Sequence, residues 1–455
     1  MTPPPAESVA AMIRPAPRLP DSQVNRDLLA PLEGASLGYW LLLGISVAFV
    51  ALAGGIWIYQ VYRGLGIAGY YHPIFWGAYI VTFVFWVGIA HAGTLISAIL
   101  FLFRAKWRNA INRSAEAMTV IAVLTAAQFL GIHVGRIWKS YFILPYPNQR
   151  GLWVNFKSPL LWDTFAITTY ATISIVFLYV GLIPDLAIAR DRAVGWRKLL
   201  YGVLSLGWQG TANQWKAHNR SVLHLSGLAT PLVLSVHSVV SWDFAVSIVP
   251  GWHATIFAPY FVAGAIFSGF AMVLTVMIPV RRIYGLEGYI TNYHFENMSR
   301  FLLLTSIIVT YAYGAEYFMA WYSGVESEQT AFYKRAFGPY WISTWTMILC
   351  NGVFPQLLWF KRLRVNVPFL FVLSVLINIG MWFERYVIIV SSLSNDYEPW
   401  AWGQMNPTWA DWGILAGSFG WFGMYFLLFA RTFPIVAIQE IKEMIPMPRR
   451  KGAHR

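Results

Sequence analysis

Charge and cysteine are what this sequence lacks most. Asp, Glu, Lys and Arg make up only 12% of the 455 residues, against about 25% in ordinary soluble domains. Hydrophobic residues account for 57% and aromatic residues for 17%. That balance excludes a water-soluble globular protein and indicates a polytopic membrane protein. The single cysteine, Cys350, lies in an apolar run. One thiol excludes an internal disulfide, a cysteine-held iron–sulfur cluster and a C-x-x-C-H haem attachment. Any redox metal would need histidine ligands or a neighbouring subunit. Acidic residues are scarce as well, 20 against 33 Lys and Arg, for a net charge of +13. In a membrane protein such an excess serves topology, so the expected partner is the lipid bilayer and no nucleic acid.

What the sequence does have is long apolar runs. Stretches able to cross about 30 Å of hydrocarbon fall at 38–60, 74–103, 116–139, 160–189, 219–242, 256–280, 300–323, 338–360, 367–392 and 411–437. The expected fold class is an all-α polytopic membrane protein of ten transmembrane helices within residues 37–440. Residues 1–36, rich in Pro and Ala, lack the apolar core of a signal peptide and are expected to form an uncleaved cytoplasmic arm. Residues 441–455 read as a basic cytoplasmic tail. Ten spans put both termini on one side. Of the Lys and Arg residues, 25 fall in the termini and the loops after even-numbered spans, seven in the opposite loops, and Arg385 inside a span. The positive-inside rule then predicts cytoplasmic termini. The stretch 190–220 mixes Trp, Arg and short apolar pieces and reads as interfacial. A weak internal echo links "GIAHAGTLISAILFLFR" (88–104) with "GAIFSGFAMVLTVMIPVR" (264–281). Two related four-helix bundles would give it, and so would chance likeness among apolar helices.

This topology gathers ionisable residues in the outer third of the membrane. Asp163 lies in the first outer turn of the fourth span, and His133 roughly 9 Å below the outer end of the third. His237 and Asp243 approach the outer end of the fifth span, and His253 follows in the loop "SIVPGWH". Glu316, Glu384 and Arg385 lie on outward-running spans. Intramembrane charges cost roughly 2.5–3.5 kcal/mol each on insertion scales, so a functional site or an ion pair is the default reading. Each has a plainer alternative: Asp163 as a helix cap, His237 as a core histidine, Asp243 in interfacial water, Glu384 and Arg385 in structural pairs. A partner for Arg385 is expected in Asp163, Asp243 or Glu316, because adjacent helical residues point to different faces. His133 with Asp163 is the expected acid–base pair, an imidazole that titrates near neutrality beside an orienting carboxylate. The inner half offers only a thin trail of His91, His224, Gln128, Asn378 and Asp185.

Three classes fit this pattern. A quinol-oxidising subunit needs proton acceptors at one face. A haem-b cytochrome would use His224 and His237, 13 residues apart on one helix, with His133 at matching depth, although no other span carries two histidines. A secondary transporter would fit the repeat, yet its polar site belongs at the midplane.

The motifs "GIHVGRIWKSY", "SPLLWDTFAI", "SVHSVVSWDF" and "NIGMWFERYVIIV" resemble the NrfD/polysulfide-reductase membrane-subunit family over residues 35–440. Within it, the likeness is to the ActC type of alternative complex III, with the homologous ActF type as an alternative. The resemblance implies two four-helix bundles plus two extra helices, no metal or haem in this chain, and a quinol site (menaquinol or ubiquinol) on the periplasmic side of a bacterial inner membrane. Its implied partners are c-type cytochrome subunits, an ActB-like iron–sulfur subunit, an ActF-like membrane subunit and other small membrane subunits. Carried over by motif, His133 and Asp163 take catalytic places, and Asp243, His253 and Arg385 join them around the quinol.

Overall fold

The computed structural model describes residues 20–145, 156 and 158–444. The first 19 residues of the arm, residues 445–455 of the tail, and Arg150 and Lys157 lie outside the described residues. The chain folds into α1 (Asp21–Glu33), α2 (Leu37–Arg63), α3 (Ala78–Leu102), α4 (Asn112–Val134), α5 (Pro159–Arg192), α6 (Trp196–Leu204) and α7 (Ala212–Ala245). It continues through α8 (Phe257–Ile283), α9 (Asn292–Ser323), α10 (Glu326–Phe337), α11 (Trp341–Ile348), α12 (Val367–Ser391), α13 (Trp409–Thr432) and α14 (Ile438–Met444). Among the described residues, nine helices are long and apolar enough to cross a membrane: α2–α5, α7–α9, α12 and α13.

Local chemistry sets several of the starts. Ser36 Oγ accepts the Tyr39 N–H at 3.2 Å to open α2, and Thr211 and Gln214 form a reciprocal capping box at α7. Pro159 opens α5 where its missing N–H removes no bond. The run at 338–360 is the exception to ten uniform helices. It folds as α11, then a π turn over Leu349–Val353, then a 3₁₀ segment over Phe354–Trp359. Pro355 can donate no backbone bond, which breaks the ladder there. The carbonyl of Asn351, inside the turn, accepts from Ser306 Oγ at 2.7 Å instead.

Helices α3, α4, α5 and α7 pack in a closed ring, each against the next. Helix α8 packs on α3 and α7 and also on α9 and α12, and α12 packs on α11. Helices α2 and α13 pair with each other, and α13 lies against α4. The most hydrophobic stretch of α2 is only 11% buried, whereas that of α3 is 94% and that of α8 is 72% buried. The two segments that echo one another in sequence thus lie on the two central helices. Glycine lets each approach a neighbour closely: a Cβ on Gly93 would collide with Ala115 O on α4, and one on Gly264 would lie 3.2 Å from Arg385 Nη2 on α12. Part of the arm docks on the molecule itself. Tyr289 donates to Asp27 at 2.9 Å, Arg431 donates to Pro31 O at 2.9 Å, and Val24, Leu28 and Leu29 are buried.

Candidate functional site

The ends of α4, α5 and α7 that carry the site lie together, opposite the end that holds α1 and α14. Helix α4 stops at Gly135, whose φ of +75° suits glycine, and His133 sits in its last turn. His133 Nδ1 meets Tyr70 Oη at 3.3 Å. Tyr70 lies in the segment between α2 and α3 with its ring against Tyr79, and Tyr79 donates to Gln60 Oε1 at 2.7 Å. Gln60 in turn donates to Ile132 O at 2.8 Å, so the shelf beneath His133 is braced on α2 and on its own helix. Asp411 at the start of α13 holds the loop by accepting the N–H of Gly69 at 2.9 Å and of Thr408 at 2.8 Å.

Asp163 is buried on α5, 5% exposed, and its carboxyl lies beside that of Asp243 on α7, with Oδ1 of each left without a hydrogen-bond partner. Two carboxyl groups in such contact need a proton between them, since an ionised carboxylate only accepts. The structure therefore joins Asp163 to Asp243 and His133 to Tyr70; among the described residues no hydrogen bond or ion pair links His133 with Asp163. Nor is Asp163 a cap, because its carboxyl meets α7 rather than the N–H groups of its own first turn.

Arg385 corrects an expectation. Its Nη1 lies 2.6 Å from Oε1 of Glu384, its neighbour in sequence, and its guanidinium sits 4.5 Å over the ring of Phe261. Both ends of the pair are dry, at 1% and 0% exposed. Glu384 also accepts from the Tyr313 hydroxyl. The one-residue separation does not prevent pairing, because long side chains 100° apart on a helix can converge where neither has water. His253 is exposed in the segment between α7 and α8, where its Nε2 meets Glu328 Oε1 at 3.1 Å and Glu328 also accepts the Gly251 N–H. It stands apart from both His133 and the Asp163–Asp243 pair in its contacts.

Several partners were not foreseen. Arg113 on α4 is buried and binds Glu116 at 3.0 Å, Asp185 at 3.3 Å and Gly181 O at 2.6 Å. His91 stacks on Tyr170 at 5.0 Å and meets His237 edge-on at 4.4 Å, and Tyr170 Oη contacts Thr94 Oγ1 at 2.8 Å. His237 is packed between His91 and Phe261, whereas His224 is exposed on the same helix. Those two histidines stand in different surroundings, one packed among aromatic rings in the core and one on the helix surface.

The sequence of this chain matches the family model for polysulphide reductase, NrfD, over residues 66–394. It is 25% identical over 260 residues to a putative dimethyl sulfoxide reductase membrane subunit of Halobacterium salinarum, covering 57% of this chain and 55% of the relative. Identity is 20% over 309 residues to a selenate reductase subunit of Mesobacillus selenatarsenatis, covering 66% and 70%. It is also 20% over 247 residues to an Hdr-like menaquinol oxidoreductase integral membrane subunit of Archaeoglobus fulgidus, covering 53% and 51%. The match thus spans about half the length of two of these relatives. A family match across most of the chain, together with nine apolar helices among the described residues, makes this a multi-pass integral membrane protein of the NrfD family.

Proposed function

We propose that the chain is the quinol-binding and quinol-oxidising membrane subunit of an electron-transfer complex of the alternative complex III type. The observation that carries this reading is the gathering of proton acceptors, His133 with Tyr70 and Asp163 with Asp243, at neighbouring ends of α4, α5 and α7. Oxidising a quinol to a quinone releases two protons and two electrons. With Nδ1–H donated to Tyr70 Oη, His133 Nε2 carries the lone pair that takes a hydroxyl proton. The Asp163–Asp243 pair, once ionised, accepts the other. With one cysteine this chain is short of a cluster of its own, so the two electrons pass to an adjoining iron–sulfur subunit and on to c-type cytochromes. The likeness to a menaquinol oxidoreductase subunit supports the choice of substrate.

In this reading α3, α4, α5 and α7 form one four-helix bundle. A second consists of α8, α9, the segment 341–359 and α12, with α2 and α13 as the two extra helices. The composite segment of eight α, five π and six 3₁₀ residues covers roughly 30 Å, enough for a tenth crossing. The termini face the cytoplasm and the quinol site the periplasm. An ActF-like subunit and smaller membrane subunits would cover exposed faces such as α2.

A polar line supports proton translocation through the first bundle. It begins at the terminus end in a chamber of about 270 Å³ lined by Arg113, Glu116, Asp185 and Glu440. Glu116 also borders a small cavity with Thr94, Thr119 and Ser174, beyond which stand Tyr170, His91 and His237. Asp243 lies six residues, roughly 9 Å, further along α7 from His237. The direct test of function is quinol-driven reduction of the acceptor by the assembled complex. His133→Gln should slow it by about 10²-fold, the usual scale for lost acid–base help. Unchanged turnover at matched assembly would remove His133 from the chemistry.

A further inference from the structure

The end of the molecule that holds α1 and α14 has a feature that quinol chemistry does not use. Helix α3 closes with Ala105 N–H donating to Leu100 O and Arg104 N–H to Phe101 O, each at 2.9 Å. This closure puts one residue in the left-handed conformation, where glycine is the usual occupant. Gly64, Gly135 and Gly324 hold positive φ at the ends of α2, α4 and α9, but at α3 the place is taken by Arg104, with φ +55°. A side chain there is disfavoured by contact of its Cβ with the backbone. Among the described residues only Leu206 shares this condition.

Arg104 and Lys106 line a pocket of about 470 Å³ whose other walls include Phe101, Leu102, Asn109 and Leu223. The nearby cations are neutralised: Arg108, which also borders the pocket, meets Glu440 at 3.1 Å, and Arg113 meets Glu116 and Asp185. Arg104 and Lys106 have no carboxylate partner among the described residues. Beside them the surface turns apolar, with Leu102 40%, Phe103 78% and Leu223 51% exposed. Two free cations therefore stand at the edge of a membrane span with an oily wall below them.

We propose that this pocket binds an anionic phospholipid, with Arg104 and Lys106 on the phosphate and the acyl chains along Leu102, Phe103 and Leu223. A guanidinium presents a planar fork of donors that suits phosphate oxygens, and an ammonium adds a compact charge. The apolar wall favours a lipid over free phosphate, which needs only the charges. Basic pockets between membrane helices are a recurring form of head-group site.

Native mass spectrometry of the assembled complex, released from phosphatidylcholine nanodiscs containing graded phosphatidylglycerol, tests the proposal. The wild type should retain phosphatidylglycerol selectively. The double variant Arg104→Gly/Lys106→Gln should weaken retention by roughly 30-fold, as expected for losing two juxtamembrane cations. Arg104→Gly relieves the left-handed backbone, so assembly and melting temperature should hold or rise, which separates lost binding from lost folding. Arg362→Gln, a basic residue elsewhere at the same end, should change nothing. Three results would overturn the proposal: equal retention in the double variant, an equal effect from Arg362→Gln, or displacement of the lipid by millimolar inorganic phosphate.

Discussion

Replacing either member of the Glu384–Arg385 pair should expose an asymmetry that follows from what each would be left with. Removing one partner of a buried ion pair costs about 3–5 kcal/mol, because the survivor stays charged without compensation. In Arg385→Leu the survivor is Glu384, which keeps the phenolic donor Tyr313 and can also neutralise itself by taking a proton. Its loss should fall at or below the low end of that range, about 2–3 kcal/mol. In Glu384→Gln the survivor is Arg385, which cannot shed its charge. It keeps the face of Phe261 at 4.5 Å, worth up to about 2 kcal/mol when dry, while its Nη2 already lacks a partner. That loss should reach about 4–5 kcal/mol. The double variant Glu384→Gln/Arg385→Leu should be less damaging than the sum by about 1–3 kcal/mol. The assay is thermal or denaturant unfolding of the purified complex, with assembly measured by size-exclusion chromatography. An Arg385→Leu loss equal to or above that of Glu384→Gln, or strict additivity, would refute this reasoning.

Two further outcomes follow from the packing and the polar line. Gly93→Ala should abolish assembly, because its Cβ would run into both Ala115 O and Thr119 Oγ1, while Gly314→Ala, with nothing within 4 Å, should be silent; immunoblotting of membranes checks both. Glu116→Gln should lower the number of protons moved per electron while leaving quinol oxidation within about threefold of wild type, the pattern expected if it serves transfer and not the oxidation step. Proton-sensitive dyes in proteoliposomes read that ratio, and an unchanged ratio would take Glu116 off the path.

The membrane helices were legible because burial in lipid writes itself as long apolar runs, as in Leu37–Arg63 and Phe257–Ile283. The run at 338–360 shows the limit. Hydropathy is blind to the backbone ladder, so the π turn around Asn351 and the break at Pro355 were visible only in the fold. Asp163, His133, Asp243 and Arg385 were conspicuous as polar groups in apolar surroundings. Their partners were not, because pairing depends on which helices touch. Asp243 lies 80 residues after Asp163 in the chain, and Tyr70 is an ordinary aromatic residue in a connecting segment. The rule that neighbours on a helix face apart failed at Glu384 and Arg385, where the absence of water outweighed the ideal side-chain direction.

Quinol-dependent acceptor reduction by Asp163→Asn, at matched assembly, bears most directly on the role of the cluster at the ends of α4, α5 and α7. An asparagine keeps the size and can still donate to Asp243, so the α5–α7 contact should persist, while the proton acceptor at 163 is lost. Proton transfer at the Asp163–Asp243 pair predicts a fall of about 10²-fold or more in turnover with normal complex yield. Turnover near wild type would contradict it, leaving Asp163 as a structural tie between α5 and α7.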